Sequence, residues 1–203
     1  MNRSRTEKGE QSRKRLLEAA AEEFANNGYD RTRVSDIVKR AGLTQAAFYL
    51  YFPSKEAVYG ELRDEFFTQL RVLADAGKQV TPLPKEMTVP KIRENLLGLF
   101  RFFGASPRLT QVFLAAAQEG ELLHRQMAKL VAENLRINQN AGHVRPELSP
   151  EVAAEAMVAV LYRLTERFLL TGEMTAEELA DHATALLASG IVSPERSTNP
   201  KIR

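Results

Sequence analysis

The sequence contains neither cysteine nor tryptophan. Without cysteine the chain can form no disulfide, no thiolate metal site and no cysteine nucleophile. Long uncharged runs are also missing, since the longest, residues 41–54, has 14 residues, fewer than the roughly 20 that span a bilayer. The basic N-terminal segment runs through Leu16-Leu17 straight into Glu18 rather than into an apolar signal core. We therefore expect a soluble, cytoplasmic protein that is not attached to a membrane.

β-Branched residues are scarce as well. Val, Ile and Thr together make up 30 of the 203 residues, whereas Ala, Leu, Glu, Lys and Arg make up 100. Ala and the straight-chain residues lose little conformational freedom in a helix, so this balance favours helices over strands. The composition predicts an all-α protein.

Charge is distributed unevenly along the chain. Residues 1–55 hold 11 basic and 7 acidic side chains, although the whole chain has a formal net charge of only +2. A basic end on a nearly neutral body is typical of a protein that meets a polyanion at that end. The alternative is a solvated tail. Residues 1–10 are polar and lack periodicity, and we interpret them as a mobile basic arm.

Apolar spacing, capping residues and breakers predict about nine helices. Their expected first residues are Gln11, Val34, Thr44, Ser54, Pro90, Ser106, Glu119, Pro150 and Thr175. The first three helices are expected to form one domain, residues 1–53. The remaining helices form a second, residues 54–192, followed by a flexible tail, residues 193–203.

The second and third predicted helices are short and separated by a tight turn at Gly42. With the preceding helix they match helix-turn-helix geometry, in which the third helix enters the major groove of double-stranded DNA. At the start of that helix, Gln45 can pair bidentately with adenine and Ala46 can touch a thymine methyl group. This arrangement predicts a DNA-binding domain.

The residues in this region form an ordered string. It comprises Phe24–Tyr29, Thr32, Ile37–Thr44 and Phe48–Glu56. This string resembles the DNA-binding region of the TetR family of transcriptional repressors, and the match covers about residues 11–60. The resemblance implies a homodimer that binds a palindromic operator and releases it when a small molecule enters the C-terminal domain.

Individual positions follow from the same resemblance. Tyr49 and Lys55 match positions that contact DNA phosphates in the family, and Thr44, Gln45 and Ala46 match the start of the recognition helix. Lys55 also lies near the N-terminus of the fourth predicted helix, which suits an anion. A solvated surface lysine is the alternative for Lys55.

Four other positions in this region are less regular. Arg33 stands where many members have a small hydroxyl residue that caps the second helix, so Thr32 is expected to cap one residue earlier. Both are predicted to lie at the DNA. Leu50 replaces a polar or larger residue, which puts that contact in doubt. Tyr51 is a candidate DNA contact or, alternatively, a packing aromatic.

A mostly hydrophobic effector, such as an acyl chain or a planar drug-like molecule, is expected in the C-terminal domain. The candidate ligand-binding residues lie on the fifth to seventh helices, and the alternative for each is the hydrophobic core. They are Leu99, Phe100, Phe103, Phe113, His124 and Met127. The polar residues expected near that region are Arg101, Gln118, His124 and Asn134.

The eighth and ninth helices carry apolar stripes with small residues between them. Paired with their symmetry mates, they are predicted to form a four-helix dimer interface. The candidate interface residues are Ala156, Met157, Val160, Leu164, Ala183 and Leu187.

Catalytic and metal-binding motifs are not apparent. His124, His143 and His182 lie on separate segments, and no glycine-rich phosphate loop, nucleophile elbow or zincin motif occurs. We expect no metal, no cofactor and no enzymatic activity. Two alternatives stay open: an architectural DNA-binding protein of the same fold without a ligand, and an enzyme on a helical scaffold, which turnover without DNA binding would reveal.

Overall fold

A computed structural model describes residues 3–76, 83–115 and 117–189. These three stretches contain nine α-helices and no β-strand, so the prediction of an all-α fold is confirmed. The helices are α1 (Arg3–Asn27), α2 (Val34–Ala41), α3 (Gln45–Tyr51), α4 (Lys55–Asp75), α5 (Thr88–Ala105), α6 (Pro107–Ala115), α7 (Ala117–Asn140), α8 (Pro150–Leu164) and α9 (Ala176–Thr184).

The first helix begins earlier than the apolar spacing predicted. It starts at Arg3 rather than near Gln11, so the segment that we expected to be an arm without helical structure is helical from residue 3. Lys, Arg and Glu are good helix formers, and adding a turn to an existing helix needs no new nucleus. An apolar stripe marks where a helix is packed, and it does not mark where the helix ends.

Several predicted starts are confirmed by side-chain caps. The hydroxyl oxygens of Thr44, Ser54, Ser149 and Thr175 accept hydrogen bonds from backbone N–H groups in the first turns of α3, α4, α8 and α9. Each cap satisfies a donor that has no partner inside its helix. These four boundaries are therefore set by local sequence.

The later boundaries differ in detail. Helix α5 begins at Thr88, two residues before Pro90, after a short 3-10 turn at Lys85–Met87. Residues 165–169 and 185–189 continue α8 and α9 as wider π-helical turns. The predicted tail at residues 193–203 lies outside the described residues.

Helices α1, α2 and α3 share one part of the core, which is built on Leu16, Phe24, Ile37 and Phe48. In the C-terminal part α5 packs on α9, α7 packs on α8, and α4 crosses α7. Helix α4 follows directly from α3, and α6 also packs against α1. The helix-turn-helix unit is thus joined to the C-terminal helices through both α4 and α6.

Candidate DNA-binding surface and internal cavity

The turn between α2 and α3 requires glycine. Gly42 has φ +65°, and its N–H and that of Leu43 donate to the carbonyl oxygens of Lys39 and Val38 at 3.2 and 2.9 Å. A Cβ at position 42 would lie 2.8 Å from Nη2 of Arg15. The left-handed backbone disfavours a side chain here, and an added Cβ would also displace the guanidinium group of Arg15.

Helix α1 holds the C-terminal half of α2. Arg15 donates a hydrogen bond to the carbonyl oxygen of Ala41, in the last turn of α2. Arg40 pairs with Glu22 and Glu23 of α1 at 2.7 and 2.5 Å. The Arg15 bond satisfies a helix-end carbonyl, and the Arg40 ion pairs attach α2 to α1.

Helix α3 has one buried and one exposed face. Phe48 is fully buried, whereas Gln45 and Ala46 are exposed, and Tyr49 and Leu50 are 56% and 81% exposed. Thr44 caps the helix by accepting a hydrogen bond from the N–H of Ala47 at 3.1 Å. The exposed face is therefore rigidly presented and available to a partner.

Thr32 does not belong to that surface. It is 2% exposed, and its hydroxyl lies within hydrogen-bonding distance of the carbonyl oxygens of Glu23 (3.1 Å) and Gly28 (2.8 Å). The N-cap of α2 is Arg33, whose N–H donates to the carboxylate of Asp36 at 3.1 Å. The prediction that Thr32 caps α2 and contacts DNA is wrong, because its hydroxyl closes the α1–α2 loop. Arg33 is exposed, as a DNA contact requires.

Lys55 also has an internal role. Its Nζ donates to the carbonyl oxygens of Tyr29 and Thr32 at 2.8 and 3.0 Å and lies 4.2 Å from the centroid of the Tyr29 ring. An ammonium group has three donors, so at most one N–H remains for a phosphate. Lys55 therefore ties α4 to the α1–α2 loop, and its contact with a DNA phosphate stays a prediction.

The same loop holds a partly buried phenol, that of Tyr29. The hydroxyl of Tyr29 donates to Glu56 at 3.0 Å. Burial, followed by this hydrogen bond to a carboxylate, raises the pKa of Tyr29 to about 12. Hydrogen bonds from Ser54, its own backbone and Tyr29 lower the pKa of Glu56. Both shifts favour a protonated Tyr29 that donates to an ionised Glu56. This hydrogen bond attaches the start of α4 to the α1–α2 loop.

Tyr51 is half-buried and packs against the core. Its hydroxyl lies 3.6 Å from the point where a Cβ at Gly9 would stand. The aromatic therefore contacts the early turns of α1, which agrees with the alternative of a packing residue.

A cavity of about 120 Å³ lies between α4, α5, α7 and α8. Leu99 and Met127, two of the six residues predicted to bind a ligand, line it. Its polar lining consists of Thr88, Asn95, Asn134 and Asn138.

The other four predicted ligand residues do not line the cavity. Phe100, Phe103 and Phe113 are fully buried core residues, and the Phe113 ring lies 5.1 Å from Phe66 and 5.5 Å from Tyr59, centroid to centroid. His124 is bonded to Glu155 through Nε2 at 2.6 Å. The predictions for Phe100, Phe103 and Phe113 are corrected because these rings are fully buried in the core, whereas the prediction for His124 stays a prediction.

Of the polar residues expected near a ligand, only Asn134 is found at the cavity. Arg101 pairs with Glu177 at 2.7 Å, and the Gln118 side chain lies outside the described residues. Sequence reasoning missed Asn138 and Val131, although Met127, Val131, Asn134 and Asn138 recur at helical spacing on α7. That stripe was the available signal.

The predicted dimer-interface residues divide into two groups. Ala156 is exposed, and Val160, Leu164 and Leu187 are half-buried. Ala183, by contrast, is 1% exposed in the single chain, and Met157 lines the cavity. Ala183 is corrected, because α9 packs on α5 inside the protomer and buries it, whereas Met157 is half-buried and stays a prediction. Val152, 69% exposed on α8, and Leu186, 40% exposed after α9, are further exposed apolar residues on these two helices.

The described helices offer neither a metal site nor a membrane span. In the part of the chain that the structure describes, no three His, Cys, Asp or Glu side chains come together as a metal site. No helix within residues 3–76, 83–115 and 117–189 is long and apolar enough to cross a bilayer.

Comparison with known proteins shows to which family this chain belongs. The profile of the family "Bacterial regulatory proteins, tetR family" matches residues 16–62. The chain is 37% identical over 185 residues to the HTH-type transcriptional regulator YdgC of Bacillus subtilis, covering 91% of this chain and 95% of that protein. The chain belongs to the TetR family.

Two further TetR-like relatives are similar over most of their length. The transcriptional repressor DhaR of a Mycobacterium species is 25% identical over 198 residues, covering 92% of this chain and 96% of DhaR. The solved structure of FadR from Bacillus subtilis in complex with stearoyl-CoA is 20% identical, with a TM-score of 0.67, 88% of this chain and 98% of that one being covered. YdgC, DhaR and FadR are all transcriptional regulators, and this chain is a DNA-binding transcriptional regulator of the TetR family.

The part of the chain that matches the TetR family includes the exposed face of α3. The profile match spans the last turns of α1, all of α2 and α3, and the first turns of α4. It therefore includes both the structural contacts of Thr32 and Lys55 and the exposed Gln45, Ala46 and Tyr49.

Proposed function

We propose that this TetR-family protein is a homodimeric repressor that binds a palindromic operator and releases it when a small, mostly hydrophobic effector enters the cavity. Residues 1–53 form the DNA-binding unit, and residues 54–192 form the effector-binding and dimerisation unit. One observation carries the proposal: α4 begins beside the helix-turn-helix unit and ends at the cavity wall, where it contributes Leu73 and Ala74.

The DNA step rests on the exposed face of α3. Gln45 can pair with adenine, and Ala46 and Leu50 can touch thymine methyl groups. Residues 42–54 carry no charge, so positively charged phosphate contacts must come from outside α3. The exposed Arg33 and Lys39 and the basic residues near the start of α1 are placed to supply them.

The dimer step rests on apolar side chains that the single chain leaves exposed. Val152 and Ala156 lie on the outside of α8, and Leu186 lies just after α9. A two-fold pairing of α8 and α9 with their symmetry mates covers these groups and sets two recognition helices about one DNA turn apart, or a little more.

The effector step rests on the cavity. A bundle without a cavity between α4 and α8 would favour the architectural alternative, and the cavity between α4, α5, α7 and α8 favours ligand control. FadR of Bacillus subtilis, which has the same fold, holds stearoyl-CoA. An effector acts only if it binds the DNA-incompetent state more tightly than the competent one. As a DNA-bound regulator, the protein is expected to act in the cytoplasm.

The first experiment selects sites for the purified protein from random double-stranded DNA. We expect a palindromic sequence, and sedimentation should show a dimer bound to it. Leu50→Glu should abolish binding, since it brings a carboxylate to the phosphates. The matched control is Val72→Glu, 68% exposed on α4, which should bind normally. Enrichment of no palindrome would contradict the repressor function.

The second experiment looks for the effector. Mass spectrometry of small molecules released when the purified protein is denatured identifies a bound compound, which is then titrated into the operator complex. We expect operator release at a concentration that matches its affinity for the free protein. A compound that binds without releasing DNA would favour the architectural alternative.

A further inference from the structure

One polar group in the cavity wall is left without a partner. Asn134 is 6% exposed, and its Nδ2 donates to the carbonyl oxygen of Ala74 at 2.8 Å. A carbonyl oxygen can only accept, which assigns the nitrogen to that side and the amide oxygen to the other. Among the described residues, Oδ1 of Asn134 has no hydrogen-bond partner.

The remaining amides at the cavity are turned towards the backbone. Asn95 donates through Nδ2 to the carbonyl oxygen of Ala76 at 3.4 Å, and Asn138 donates to that of Asn134 at 2.8 Å. Thr88 is bonded to Nδ1 of His143 at 2.8 Å. A buried acceptor without a donor is unfavourable. An O–H or N–H group of a ligand would satisfy Oδ1 of Asn134.

The lining also excludes ionic ligands. None of the sixteen described residues that form the cavity wall is charged. A carboxylate, phosphate or ammonium placed there would lose its hydration without gaining a counter-ion. The occupant must therefore be neutral.

The volume of the cavity limits the size of the ligand. The cavity measures about 120 Å³, and apolar protein cavities of about 150 Å³ take up benzene. A long acyl chain with a coenzyme A head group does not fit this volume. The wall is otherwise made of Leu, Ile, Val, Met and Ala side chains, which suit an apolar ring or a short chain.

We propose that the cavity binds a neutral molecule about the size of a single aromatic ring that donates one hydrogen bond to Oδ1 of Asn134. This inference rests on the proposed function and names the chemical class of its effector. The amide that takes the ligand also holds Ala74 at the end of α4, so binding acts directly on the helix that leads to the DNA-binding unit.

The test uses three probes on the intact protein, measured by calorimetric titration. Phenol has a hydroxyl group where toluene has a methyl group of similar size, and benzoate carries a negative charge. Because toluene is the more apolar, a cavity without an acceptor prefers toluene. We expect wild-type protein to bind phenol at least as tightly as toluene, and benzoate about tenfold more weakly or worse.

Variants locate the interaction. Asn134→Leu should lower the phenol-to-toluene affinity ratio by roughly 3- to 10-fold, the worth of one neutral hydrogen bond. Toluene binding then reports whether the cavity is intact. Val158→Phe, which fills the cavity wall, should abolish binding of both, whereas Val72→Phe on the exposed side of α4 should change neither.

Preference of wild-type protein for toluene, an unchanged ratio in Asn134→Leu, or tight binding of benzoate or stearoyl-CoA would overturn the inference. The wild-type series decides the question even if Asn134→Leu does not fold. Operator binding is measured separately. Phenol binding without operator release contradicts the proposed induction alone, and release by an anionic effector contradicts only this inference.

Discussion

The ammonium group of Lys55 lies 2.8 Å from the carbonyl oxygen of Tyr29 and 4.2 Å from the centroid of the same residue's ring. The first residue of α4 is thereby bound to the loop between α1 and α2. Because α4 also reaches the cavity, the start of this helix is one place where the C-terminal helices are attached to the helix-turn-helix unit.

Lys55→Met keeps the apolar stem and removes the donors. The free energy of unfolding should fall by about 1–3 kcal/mol, because the carbonyl oxygens of Tyr29 and Thr32 lose their charged donor. Urea unfolding measures this loss, and operator affinity should fall equally at every salt concentration. The control Lys39→Met, at an exposed position on α2, should instead reduce the salt dependence. If Lys55→Met leaves stability unchanged and lowers the salt slope by about one ion per half-site, Lys55 acts mainly as a phosphate contact.

Gly42→Ala tests the turn of the helix-turn-helix unit. The left-handed backbone and the 2.8 Å approach to Arg15 should together cost about 1–3 kcal/mol. Gly60→Ala is the matched control: it lies inside α4 with open space around the added Cβ, and it should stabilise the protein by about 0.5–1 kcal/mol. Thermal unfolding of both variants checks the opposite signs. A stable Gly42→Ala variant would show that the turn tolerates a side chain.

Gln45→Ala and Tyr49→Phe separate base reading from backbone contact. The first should cost about 1–3 kcal/mol at one base position and relax specificity there. The second removes a hydroxyl from an exposed ring and should weaken all sequences about equally. Binding to an operator and to single-base variants of it distinguishes the two. A uniform loss in Gln45→Ala would mean that this residue contacts the backbone.

Ala156→Arg and Ala183→Arg should fail in different ways. Ala156 is exposed, so its variant should fold as a monomer and lose tight operator binding. Ala183 is 1% exposed against α5, so its variant should lose stability instead, because a buried unpaired charge is costly. Sedimentation and circular dichroism of both variants provide the readouts. A dimeric Ala156→Arg variant would place the interface elsewhere.

Acid should weaken the start of α9 through Glu178. Hydrogen bonds from the backbone N–H and the hydroxyl of Thr175, at 2.8 and 2.9 Å, lower the pKa of Glu178 below its usual 4.5. The unfolded state then binds more protons, so this stabilisation is present above pH 4.5 and lost as pH falls through the folded value. Glu178→Gln should flatten the decline of unfolding free energy below about pH 5. Glu147→Gln, at an exposed loop position, should leave the decline unchanged, and an equal effect in both would contradict this role.

Local sequence determined the number of helices and the first residues of those that have a side-chain cap. The caps at Thr44, Ser54 and Thr175 use hydrogen bonds that span three residues, so the sequence alone contains both partners. The helix-turn-helix unit could be predicted for the same reason: Gly42 and the short helices around it lie within one continuous string. The exposed positions Gln45, Ala46 and Tyr49 followed from that string.

Only the tertiary structure decided what surrounds each apolar or charged side chain. Leu99 and Phe103 share α5 and a similar apolar character, yet one lines the cavity and the other lies in the aromatic core. Periodicity indicates the buried face of a helix but does not name the helices that cover it, because packing joins residues far apart in the chain. Ala183 was misassigned on the same ground, and the contacts of Lys55 with the α1–α2 loop were not foreseen, since the partners of both residues are remote in sequence. The open acceptor of Asn134 likewise exists only because α7 packs against the end of α4.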